Sequence, residues 1–163
     1  MIRCASLCLA LLLFLPGTGC NRGGHPAQVG EIAPNITIHD GAQSVSLRQY
    51  RGRIVILNFW ASWCPPCLEE FPSLMQLQRQ MPNIVVLAVS FDTDASAYRQ
   101  YLLDNHIVGI TTAVDPSQKS NLAFNTTRPP ETYLIDRRGI IRRKFIGPQD
   151  WTSPEILNYL RNM

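Results

Sequence analysis

Residues 60–72 read WASWCPPCLEEFP, and this stretch decides how the rest of the chain is read. Cys64 and Cys67 stand two residues apart, Pro65 and Pro66 fill the gap, and Glu69 and Glu70 follow. Just upstream, IVILNFW (54–60) is the apolar run of a strand covered on both faces. Downstream, residues 65 to 81 have helical period. Cys67, Phe71, Leu74 and Met81 fall near one stripe, and Pro65 suits the first helical position. The cysteine pair therefore lies where a central strand hands over to a helix. Side chains there are accessible, and the helix start supplies unpaired backbone N–H groups.

Neighbouring segments extend the alternation. NITIHD (35–40) and QSVSLRQY (43–50) alternate like short strands around Asp40 and Gly41. NIVVLAVSF (83–91) reads as a second buried strand, Asp94 as the cap of a helix running to about Asn105, and TTAVD (111–115) as a third strand. A helical or irregular piece ends at TTRPPE (126–131). TYLID (132–136) and IIRRKFI (140–146) predict a hairpin joined by Arg137, Arg138 and Gly139, and Ser153-Pro154-Glu155 opens a terminal helix. This order predicts an α/β fold with a central mixed sheet, helices on both faces and an added N-terminal hairpin. No internal repeat or second domain is visible.

At 163 residues, 45% hydrophobic and 17% charged, the chain suits one domain with an ordinary core. Its net charge of +3 comes almost wholly from arginine, since only Lys119 and Lys144 are lysines. The arginines are scattered along the sequence apart from the run Arg142, Arg143, Lys144, which reads as a solvated strand edge. Nucleic acid is not an expected partner, because its binders concentrate basic charge on one face.

Residues 1–19 read as an export signal. Arg3 precedes the apolar run Leu7 to Leu15, which Pro16 and Gly17 break before Thr18 and Gly19. The run is shorter than the roughly 20 apolar residues of a spanning helix. Its end resembles a bacterial lipoprotein signal, in which Cys20 would be lipidated and become the mature N-terminus. Gly17 stands where such signals usually carry leucine, and ordinary cleavage before Cys20 or an uncleaved anchor are the alternatives. Residues 20–34 then read as a flexible tether and 35–163 as the domain. With Cys4 and Cys8 removed in the signal, Cys64 and Cys67 are the pair left in a compartment where disulfides persist.

Three readings of that pair differ in what else they require. Structural zinc wants four Cys or His ligands, but His25, His39 and His106 show no ligand spacing, so no metal is expected. A purely structural disulfide closing so small a loop removes little unfolded-state entropy. A redox pair needs two nearby sulfurs, one of them accessible and acidic, and a CxxC at a helix start supplies these.

VILNFWASWCPPCLEEFPSL together with PPETYLIDRRGII resembles the thioredoxin superfamily, in its exported, membrane-tethered TlpA/ResA branch. PPETYLID is most similar to the CcmG/DsbE reductases of cytochrome c maturation. The resemblance implies a thioredoxin-like fold, thiol–disulfide exchange and no cofactor beyond the cysteines. It implies Cys64 as the exposed nucleophile, Cys67 as the buried resolving thiol, Pro130 as a cis-proline beside the pair, and Trp63 as its flanking tryptophan. Protein disulfides would be the substrates, apocytochrome c or its maturation partners among them, with a membrane thiol–disulfide transporter as electron donor.

Two departures bear on mechanism. Cytoplasmic thioredoxins carry a buried aspartate where this chain has Asn58, which cannot take a proton. The exported branch has a glutamate six residues after the first cysteine, here Glu70. Helical spacing turns Glu70 toward the apolar stripe and Glu69 away, so Glu70 is expected to be partly desolvated and raised in pKa. Pro129, directly before Pro130, removes a backbone N–H that could contact substrate. Pro65 and Pro66 likewise remove donors near Cys64, which argues for a reductase over a strong oxidant. A thioredoxin-fold copper-binding or metalloprotein-assembly module is the alternative, although such proteins usually space their cysteines by three residues.

Overall fold

Val55 to Trp60 are all buried and form β3, the middle strand of a five-stranded sheet. The computed structural model describes residues 27–41 and 43–163. The signal reading of 1–19, Cys20 and the first part of the proposed tether lie outside the described residues. Ahead of β3 come the paired strands β1 (Thr37–Asp40) and β2 (Gln43–Ser46) and a short 3-10 turn (Leu47–Tyr50). After β3 come α1 (Pro65–Gln80), β4 (Val85–Ser90), α2 (Ala95–Asp104), β5 (Thr111–Val114) and α3 (Lys119–Ala123). The chain then forms β6 (Glu131–Ile135), β7 (Ile141–Ile146) and α4 (Pro154–Arg161).

The sheet order is β5-β4-β3-β6-β7. β3, β4 and β5 run parallel, whereas β6 is antiparallel to β3 and β7 to β6. Parallel neighbours need long crossovers, which α1 and α2 supply. Along β3 the side chains alternate. Ile54, Ile56 and Trp60 pack with α1, α2 and α4, while Val55, Leu57 and Phe59 pack with the β1–β2 hairpin and the end of α3. This is a thioredoxin-like fold. Among the described residues, no helix is long and apolar enough to cross a membrane.

Local chemistry sets the element ends. Asp94 accepts the Ser96 N–H at 2.7 Å to cap α2, and Ser153 caps α4 ahead of Pro154. Three boundaries differ from the sequence reading. The LRQY end of the expected second strand is the 3-10 turn, because the Gln49 side chain reaches back to the Ser46 N–H at 3.4 Å. β5 stops at Val114 because the Asp115 carboxylate turns to the backbone of Ser117 and Ser120. The segment read as tether up to residue 34 joins the folded body from Gly30. Gly30 N–H donates to Ile141 O at 2.8 Å, Ala33 N–H to Gly139 O at 2.9 Å, and Ala33 is buried.

The basic run on β7 is paired as well as solvated. Arg142 meets Asp136 at 2.6 Å, Arg143 lies 4.0 Å from the centre of the Tyr159 ring, and Lys144 meets Glu131 at 2.9 Å.

Candidate active site

The loop after β3 is tied down before it reaches the cysteines. The Asp92 carboxylate, itself buried, accepts the Ser62 N–H and the Ser62 hydroxyl, both at 2.9 Å, and the Ser90 hydroxyl at 2.6 Å. Trp60 is sealed beneath the loop against Phe71, Tyr98 and Tyr101. Cys64 is then the N-cap of α1, with extended backbone, and Pro65 and Pro66 occupy the first helical positions. Proline costs nothing there, since those N–H groups have no partner within a helix.

Cys64 and Cys67 are joined as a disulfide, with their Cα atoms 5.4 Å apart. The Cys67 N–H donates to the Cys64 carbonyl at 3.0 Å, so the first α1 donor past the prolines is engaged. Cys64 keeps 4% of its surface and Cys67 none. The thiol expected to be exposed is therefore mostly covered while it is bonded to a partner in the core, and the remaining opening is on the Cys64 side. Trp63 is 63% exposed, its ring touching Phe91 edge-on at 6.0 Å, so it stands out from the surface rather than packing in the core. Pro65 is exposed and Pro66 half-buried.

The register of β3 and β6 brings a distant segment to the same edge. Phe59 faces Glu131, which puts buried Pro130 opposite Trp60. The Pro129–Pro130 peptide is cis, Pro129 is half-buried, and the Pro130 carbonyl accepts the Gly147 N–H at 2.9 Å.

Glu70 is 1% exposed, deeper than its place on the helix edge led us to expect, while Glu69 faces solvent. The cover is the segment after β7. Gln149 N–H donates to Glu70 Oε2 at 3.2 Å and Trp151 Nε1–H donates to the same oxygen at 3.3 Å. From the sheet side, Asn58 Nδ2–H donates to Oε1 and also to Thr132 Oγ1 at 2.9 Å, which leaves Asn58 Oδ1 buried without a partner. Ser73 fastens the arrangement, donating to the Glu70 carbonyl at 2.9 Å and accepting the Trp151 N–H at 3.1 Å. Three donors favour the carboxylate, but burial outweighs them and pushes the pKa up to about 7.

Asn58 is more than a replacement for the aspartate of cytoplasmic thioredoxins. It carries no proton, yet it holds one oxygen of the carboxyl that can. Trp151, Gln149 and Ser73 had no sequence signal, because their roles depend on a chain reversal about 80 residues after Glu70. Among the described residues, no group of three or more His, Cys, Asp or Glu is placed to hold a metal ion.

A family model described as Redoxin matches residues 28–160. The chain belongs to the Redoxin family. It is 31% identical over 133 residues to the thiol:disulfide interchange protein DsbE homolog of Paracoccus denitrificans, covering 78% of this chain and 73% of that relative. It is 28% identical over 139 residues to the thiol-disulfide oxidoreductase ResA of Bacillus thuringiensis, covering 83% and 79%. A crystal structure of a DsbE-type thiol:disulfide interchange protein from Chlorobium tepidum aligns at a TM-score of 0.76 with 26% identity, covering 83% of this redoxin and 97% of that chain.

Proposed function

We propose that this redoxin is an extracytoplasmic thiol–disulfide oxidoreductase that reduces selected protein disulfides. The observation that carries the reading is the Cys64–Cys67 bond at the start of α1, with Cys64 on the open side and Cys67 sealed. In the reduced protein the Cys64 thiolate attacks one sulfur of a substrate disulfide, forming a mixed disulfide and releasing the other sulfur as a thiolate. Cys67 then loses its proton and attacks Cys64, which releases the second substrate thiol and leaves the Cys64–Cys67 disulfide. Two electrons pass to the substrate, and a membrane thiol donor must return them.

The resolving step must form a thiolate in the core, where desolvation disfavours it. Glu70, three residues after Cys67 on the buried face of α1, is the carboxylate suited to take that proton. Trp63 and the Pro129–Pro130 segment offer the surface beside Cys64 on which a substrate chain would lie. Apocytochrome c or a partner in its maturation is the substrate class that the DsbE relative's similarity supports. Residues 1–19 act as the export signal in this reading, and lipidated Cys20 anchors the protein to the envelope membrane.

Cysteine replacements test the chemistry. Cys64→Ser should abolish insulin reduction, and Cys67→Ser should accumulate mixed disulfides whose partner can be identified by mass. Alkylation of Cys67 ahead of Cys64 in the reduced protein would reverse the assigned roles. A reduced protein that binds copper stoichiometrically and leaves insulin intact would support the metalloprotein-assembly alternative. Mass spectrometry of the mature N-terminus tests Cys20, and an unmodified cysteine would remove the anchor.

A further inference from the structure

Five arginines scattered in sequence meet at one end of the domain. Arg48, Arg51 and Arg53 lie in or after the 3-10 turn that leads to β3, and Arg137 and Arg138 form the β6–β7 turn. Gly52 N–H donates to Arg137 O at 2.9 Å, and the Arg51 guanidinium donates to the Arg138 carbonyl. All five residues are exposed. Among the described residues, Arg138 alone of the five has a carboxylate within 4 Å. Arg53 donates to the carbonyls of Pro82, Asn83 and Ile84 at 3.0, 3.3 and 2.7 Å, and a carbonyl accepts without neutralising. Arg138 lies 3.8 Å from Asp136, but Arg142 already holds that carboxylate at 2.6 Å. Glu31, whose carbonyl accepts the Ile141 N–H, is a further acidic residue at this end.

Two further observations orient this pole. β3 leads from it to the cysteines, and its six residues span about 17 Å, so the arginines and the disulfide lie at opposite ends. The chain also joins the domain here, since Gly30, Glu31 and Ala33 bond to Ile141 and Gly139 beside the arginine turn. Ala27 follows Cys20 by seven residues, a reach of at most about 25 Å.

We propose that the arginine pole docks on a bilayer surface carrying anionic phospholipid, so that the disulfide faces away from the membrane. Guanidinium groups pair with headgroup phosphates in two-pronged hydrogen bonds as well as through charge. The inference rests on the reading that the protein works at the envelope membrane, but it does not need lipid on Cys20. Each basic residue held at an anionic surface raises partition about fivefold at low salt.

The test is binding of the full chain to vesicles of phosphatidylglycerol mixed with phosphatidylcholine, divided by binding to phosphatidylcholine alone. Any lipid anchor acts on both vesicles and cancels in the ratio, while the mass of the Cys20 peptide reports the anchor separately. The native ratio should exceed about a hundredfold at low salt and fall toward one at high salt. Arg48→Gln combined with Arg137→Gln should lower it about tenfold or more. Lys119→Gln combined with Arg99→Gln, which removes equal charge elsewhere, should leave it nearly unchanged. Thermal melts establish that each variant folds, and if the arginine variant does not, the native ratio and its salt dependence decide. A native ratio near one overturns the proposal, as does a folded arginine variant with the native ratio. Binding to a DNA duplex with no preference for the anionic vesicles overturns it too.

Discussion

Replacing Glu70 by glutamine separates a proton acceptor from a merely buried side chain. Its pKa of about 7 implies that about 1% of the groups are ionised at pH 5, about half at pH 7 and about 90% at pH 8. If Glu70 takes the Cys67 proton, resolution of the mixed disulfide accelerates as that fraction grows. Glutamine imitates the protonated acid and has no such dependence. The two proteins should therefore agree within about twofold at pH 5 and differ by about 10- to 100-fold at pH 8, at or below the lower end for a positioned base. The assay is single-turnover release of substrate thiol from a preformed Cys64 mixed disulfide, followed against pH. Exposed Glu69 provides the control as Glu69→Gln. A native-to-variant ratio that stays constant from pH 5 to 8, or a control profile that matches Glu70→Gln, refutes the assignment.

Stability gives the same carboxyl a second readout with a definite sign. Folding raises its pKa from 4.5 to about 7, so the folded state holds a proton that the unfolded chain has released. The contribution is fully present below about pH 4.5 and is lost as pH rises through about 7, on the order of 3 kcal/mol in total. Glu70→Gln should lack this loss. Its denaturation midpoint should change less between pH 5 and 8 than that of the native protein.

Trp151→Phe keeps an aromatic ring against Phe145, in a smaller side chain, but removes one donor to Glu70, so the midpoint of the exchange profile should move to higher pH; an unmoved midpoint would leave Trp151 as packing alone. Asp136 accepts the N–H groups of Arg138 and Ile140, each at 2.9 Å, and Arg142 Nε at 2.7 Å. Burial opposes its charge, but these bonds prevail and hold the carboxyl below its usual range. That stability is present above the ordinary value and lost as pH falls through the folded one, so Asp136→Asn should cost about 2–3 kcal/mol at pH 7 and little in acid, read by urea denaturation. Ser153→Ala should cost about 1 kcal/mol through loss of the α4 cap, seen as a lower melting temperature.

The local rules carried much of the chain. Buried strands read as apolar runs because both faces of the sheet are covered, and this located β3 and β4. Asp94, Ser153 and the prolines after Cys64 marked helix starts because their chemistry acts over a few residues. Helical spacing was enough to turn Glu70 inward and Glu69 outward. Sequence also set Cys64 and Cys67 one helical turn apart, a separation their side chains can bridge.

Tertiary structure decided what those groups meet. Glu70 is sealed because a segment after the last strand folds back over α1, and no pattern near Glu70 encodes that distant contact. Asn58 faces Glu70 rather than the hairpin side because the β3 register and the crossover together choose its face. Gly30 to Ala33 are held because β7 offers backbone partners at the sheet edge, which composition cannot reveal. The arginines looked scattered because charge clustering depends on distance in space, and the two turns that carry them lie 84 residues apart or more in sequence, 53 to 137, yet side by side in the fold.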